Sequence, residues 1–160
     1  QMFFAETQNK MLYAVTGKTA AEIIVERADA SKPNMNLTSW KGDIVRKQDI
    51  YTAKNYLTHD EIDTLNRLVV IFLESAELRV KSRKDITIKF WKDNVDKILE
   101  FQEKLVLQGA GSISNAQMEN AVSKIYDEFN QRRKIEEAER EDALELEELK
   151  AIEQKIKGKK

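Results

Sequence analysis

Apolar residues recur at three- and four-residue steps through most of this chain, the spacing of helices that bury one face. Phe3, Phe4, Thr7, Met11, Leu12 and Val15 trace the first such stripe. Gly17 ends it, because glycine accepts the left-handed conformation just past a helix without a Cβ clash. Thr19 and Glu22 then form a Thr-x-x-Glu start signal, in which hydroxyl and carboxylate each satisfy an unpaired backbone donor. Ala20, Ile23, Ile24 and Ala28 carry the apolar face onward, predicting an antiparallel helix pair with a very short connection.

Beyond the polar stretch 27–43, Ile50, Tyr51, Ala53, Tyr56 and Leu57 predict a short amphipathic helix of three turns with basic Arg46, Lys47 and Lys54 beside it. Thr58 and Glu61 form a second capping box, and Asp60 and Glu61 suit the positive end of the helix dipole. The stripe that follows, Ile62, Leu65, Leu68, Val69, Phe72, Leu73, Ala76 and Val80, is widened by Val70 and Ile71 and marks the central core helix. Thr87 caps another long helix, whose stripe runs from Ile88 through Trp91, Val95, Ile98, Leu99, Gln102 and Leu105 to Val106. After Gly109-Ala110-Gly111, Ser114 and Gln117 open the last helix.

That last helix changes character along its length. Ala121, Val122, Ile125 and Phe129 fit a bundle, whereas Glu, Lys, Arg and Ala dominate beyond Gln131. Glu136 with Arg140 and Glu153 with Lys157 are four-residue pairs that support a solvated helix. Ile135, Ala138, Leu149, Ile152 and Ile156 nearly keep a heptad seam, interrupted by Asp142 and Glu145. The pattern therefore predicts an all-α compact bundle of five or six helices with a long, partly protruding C-terminal helix. Residues 1–130 form the bundle, with an ordered polar loop at 27–43, and residues 131–160 form a charged amphipathic extension. The extension is expected to dock on its own domain, on a second copy, or on an N-terminal region not in this chain, and KIKGKK reads as a frayed tail.

Composition narrows the classes of function. Lysine and arginine number 27 against 28 acids, so no global field draws the chain to nucleic acid or an anionic surface, and such binding needs a local basic face. No cysteine is present, which removes disulfides and thiolate metal sites and fits a reducing cytoplasm. A single histidine argues against zinc. No apolar run approaches a membrane span, so no membrane partner is expected. The chain opens at Gln1 inside a helical pattern, which suggests a piece of something longer.

Candidate chemistry is sparse. Gly17-Lys18-Thr19 resembles the end of a phosphate-binding loop, but Leu12 stands where the first glycine is needed and the preceding segment reads as helix rather than strand. His59 sits in a helical first turn with no nucleophile or paired acid at a recognisable spacing. Phe90, Trp91 and Phe101 have the helical spacing of core residues rather than of a stacking platform. Only the loop gathers a constellation, around the one proline, Pro33. As a ligand site, Arg27, Lys32 and Lys41 would receive an anion, Asn34 would orient it, Trp40 would stack on it, and Asp29 would be the general base. As structure, Met35, Leu37 and Trp40 would plug the core, and Arg27 would pair with Asp29 or Asp43.

The segment FFAETQNKMLYAVTGKTAAEIIVERADASKPNMNLTSWKG, followed by VRKQDIYTAKNYLTHDEIDTLNRLVVIFLESAELR, resembles the C-terminal portion of the RhuM family of virulence-associated proteins. The resemblance covers most of Met2 to Phe129. It implies a bacterial accessory protein of pathogenicity islands and other mobile elements. The resemblance also implies a further N-terminal region resembling a DNA-binding module, expected to lie outside this sequence. It supplies no catalytic residues and no cofactor. The reading is thus a noncatalytic interaction or assembly module, with a ligand-binding or enzymatic loop and an accessory nucleic-acid contact as alternatives.

Overall fold

The computed structural model describes residues 2–159, and Gln1 and Lys160, both part of the expectations above, lie outside the described residues. Five α-helices carry the fold: α1 (Met2–Thr16), α2 (Ala20–Arg27), α3 (His59–Lys81), α4 (Ile88–Phe101) and α5 (Asn115–Lys157). Among the described residues there is no strand.

Helix starts follow local side-chain chemistry. Thr19, Thr58 and Ser114 each close a reciprocal box with Glu22, Glu61 and Gln117, and Thr87 accepts from the Phe90 amide at 3.1 Å. Gly17 takes φ +74° at the turn after α1, and Asn9 Oδ1 accepts from the Ala20 amide at 2.9 Å, tying the start of α2 to α1. The expected helix pair is therefore present.

One continuous core runs through all five helices. Leu12, Ile23, Ile24, Leu65, Leu68, Val95, Leu99, Met118 and Val122 belong to it, together with Met35 and Leu37 from the polar loop. Lys10 reaches from α1 to Asp96 of α4 at 2.6 Å, and Tyr51 and Ser123 hydroxyls meet at 2.8 Å where α5 crosses the segment before α3.

Several expectations are corrected. Residues 50–57 do not form one helix: two short 3₁₀ turns, Lys47–Tyr51 and Ala53–Tyr56, are separated by extended Thr52. Side chains make the bonds a longer helix would have made. Asp49 accepts from the Arg46 amide, Asn55 donates to the Asp49 carbonyl, and the Tyr56 hydroxyl donates to the Ile50 carbonyl. Burial of Ile50, Ala53, Tyr56 and Leu57 is retained.

Helix α4 stops at Phe101 instead of running through Val106. Glu103 adopts φ +57°, its amide bonds the Glu100 carbonyl, and the Lys104 amide bonds the Leu99 carbonyl at 2.9 Å. This is a Schellman end made without glycine. α3 ends the same way, with Arg83 at φ +55° and the Lys84 amide on the Arg79 carbonyl. Phe101, expected in the core, is 84% exposed, and Phe4, Val70, Leu73, Val80, Ile88 and Leu105 are also exposed.

The charged extension of α5 does not pack on the bundle, although the first part of the same helix does. From Lys134 to Lys159 every residue is exposed, and α5 continues to Lys157. The described residues include no helix long and apolar enough to cross a membrane.

Candidate ligand-binding site

The polar loop is built around an unusual backbone. Asn34, Met35 and Asn36 are consecutive residues with φ of 55°, 55° and 65°, a left-handed turn following Pro33. Asparagine tolerates this region; methionine does so at a steric cost. Met35 is fully buried, so its side chain anchors the turn in the core, and the Asn36 side chain holds it to α2 by donating from Nδ2 to the Arg27 carbonyl at 2.7 Å. Thr38 Oγ1 donates to the Leu57 carbonyl at 2.6 Å, stitching the loop to the chain before α3.

The two charged residues at the loop entrance are committed to local work. Arg27 does not pair with Asp29 or Asp43. Its guanidinium grips Glu61 at 2.6 and 2.8 Å and the Tyr56 carbonyl at 3.0 Å. The Arg27 hydrogen bonds hold the Glu61 carboxyl down at about 2, against the opposing effect of burial. Asp29 accepts from the Ser31 hydroxyl at 2.6 Å and the Ser31 amide at 2.9 Å, which keeps its carboxyl below the usual range and makes it a weak base. Trp40 is half-buried and packs on the core, while Lys41 is exposed.

Lys32 and Asn34 face a cavity of about 340 Å³ between the loop and α5, with Ser31, Pro33, Phe129, Arg132, Arg133 and Glu136 completing its wall. Arg27, Asp29, Trp40 and Lys41 are not in that wall. The structure thus brings two of the six sequence-derived residues to one opening and leaves four elsewhere. Arg132 donates to the Ala30 carbonyl at 3.1 Å, and Arg133 donates to the Val45 carbonyl at 3.0 Å while lying over the Phe129 ring. These arginines escaped the sequence reading because they are a hundred residues downstream; the one available signal was the Arg132-Arg133-Lys134 run where the apolar stripe ends. Chemically the opening offers three cations against Glu136, suited to holding an anion rather than to moving a proton. Among the described residues, no group of three or more histidine, aspartate or glutamate side chains is arranged to hold a metal.

The fold and site define an all-α bundle with a strained polar loop clamped to a long projecting helix. The model of the Virulence protein RhuM family matches residues 1–137, and the chain belongs to that family. Neither the curated proteins nor the solved structures compared gave a match.

Proposed function

We propose that this RhuM family chain is a noncatalytic interaction module of the bacterial cytoplasm that assembles through the exposed arm of α5. The observation that carries this reading is the unbroken exposure from Lys134 to Lys159, which leaves Ile135, Leu146, Leu149, Ile152 and Ile156 without an intramolecular partner. Apolar residues repeated on a solvated helix suit a partner helix. A second copy is favoured by charge. Between Glu136 and Glu153 nine carboxylates accompany only Arg140 and Lys150, whereas the last six residues carry four lysines. Two arms laid antiparallel set each basic end beside the acidic middle of the other.

Sedimentation over a range of concentrations tests this. Self-association that disappears in a chain ending at Lys134 supports it; a monomer at every concentration removes the homo-oligomer. A second reading, an anion held at the loop, is favoured by the cavity that Lys32 and Asn34 share with Arg132 and Arg133. Binding of inorganic phosphate that is lost in Lys32→Gln would support it, and an unaltered affinity would remove it.

A further inference from the structure

The corner between α3 and α4 concentrates charge that the rest of the molecule does not neutralise. From Arg79 to Lys97 the chain carries seven cations and three acids. Asp96 is occupied by Lys10 and Lys92 by Glu6, both across to α1. Lys89 and Lys97 are exposed, and among the described residues neither has an ion-pair partner.

These groups face one opening. Arg79, Thr87, Lys89, Phe90, Asp93, Asn94 and Lys97 surround a cavity of about 370 Å³. Lys89, Asp93 and Lys97 follow at four-residue steps and so share a face of α4. Arg79 comes from α3: its Nε donates to the Asp85 carbonyl at 2.7 Å and its guanidinium lies 4.1 Å over the Phe90 ring. That fixes the guanidinium plane and leaves its two Nη groups without a protein acceptor among the described residues, a preorganised fork of the kind that receives phosphate oxygens. Asn94 also lines the cavity. Its Oδ1 accepts from Ser75 at 3.1 Å, while its Nδ2 is buried without a hydrogen-bond acceptor among the described residues.

We infer that this corner is a binding site for a small phosphorylated molecule with a hydroxyl-bearing body, such as a sugar phosphate. Arg79, Lys89 and Lys97 take the phosphate, and Asp93 accepts from a hydroxyl of the attached body. The cavity volume lies in the range of small-ligand sites and exceeds the needs of a lone phosphate. Asp93 also disfavours an unbroken run of phosphates, which separates this reading from a nucleic-acid track. The site is independent of both the α5 arm and the loop cavity.

Calorimetric titration of the full chain with inorganic phosphate and with ribose 5-phosphate tests the inference. The expected result is saturable binding of both at a site that is tighter for the sugar phosphate, weakened at least tenfold in the Lys89→Gln/Lys97→Gln double variant and unchanged in Lys32→Gln. Both lysines are exposed and unpaired, so thermal unfolding of that variant stays at the parent value. Asp93→Asn is expected to narrow the difference between the two ligands. Failure of both ligands to saturate at millimolar concentrations overturns the inference, as does affinity unchanged in the double variant. Affinity for a deoxythymidine oligomer that grows with its length, without sugar-phosphate binding, overturns it in favour of a nucleic-acid track.

Discussion

Arg27 at the end of α2 and Glu61 in the first turn of α3 form a two-pronged ion pair, with Nη1 to Oε1 at 2.6 Å and Nη2 to Oε2 at 2.8 Å. Glu61 simultaneously accepts from the Thr58 amide at 2.9 Å, so one carboxylate both starts α3 and fastens it to α2.

This relationship has a pH signature. The Glu61 carboxyl falls from an ordinary 4.5 to about 2 on folding, so its contribution is complete above the unfolded value and is lost as pH falls from 4.5 towards 2. After allowance for solvent screening the contribution is roughly 2 kcal/mol. Denaturant unfolding between pH 6 and 2 is expected to show this loss, with Glu61→Gln less stable at pH 6 and less pH-dependent across that window.

Gly111 lies against the start of α2. A Cβ there would stand 2.5 Å from Thr19 Cγ2 and 2.9 Å from Glu22 Oε1, and its φ is +85°. Glu22 Oε1 also accepts from the Ser112 amide at 2.6 Å, so this contact latches the α4–α5 connection to α2. Gly111→Ala is expected to cost about 2–4 kcal/mol in chemical denaturation. Gly17→Ala, with open space around its Cβ, is expected to cost only the left-handed penalty of about 1–2 kcal/mol.

Glu103 occupies a position where glycine relieves strain. Glu103→Gly is expected to stabilise the end of α4 by about 1 kcal/mol, read as a rise in the denaturation midpoint. An unchanged or lowered midpoint would show that the left-handed conformation carries no such penalty here.

On α3, burial divides residues that look alike in sequence. Leu68 is 3% exposed and Phe72 9%, whereas Val70 is 56% exposed. Leu68→Ala and Phe72→Ala are expected to cost about 2–5 kcal/mol in unfolding free energy, and Val70→Ala less than about 0.5 kcal/mol.

The predictability of each feature tracks the sequence distance over which its bonds act. Thr19, Thr58, Thr87 and Ser114 were readable as helix starts because their hydroxyls bond amides three residues on. The end of α4 was not, because Glu103 takes a glycine-like conformation without being glycine, and the apolar spacing of Leu105 and Val106 mimics a continuing helix. Periodicity marks Val70 and Phe101 as apolar but cannot say whether a neighbour reaches them. The loop was recognisable from its polar crowding around Pro33, yet Arg27 met a carboxylate 34 residues away and the cavity took its arginines from α5. Such pairings depend on packing, which a single sequence does not display.

Helix α5 spans 43 residues, about 65 Å, with no glycine or proline between Asn115 and Lys157. Met118, Val122 and Phe129 clamp its first part in the core, and the remainder leaves without a break. A shaft of this kind has no hinge at which to fold back. It acts as a ruler: whatever grips its tip is held roughly 36 Å from the point where the shaft leaves the bundle, at an angle set by three buried side chains.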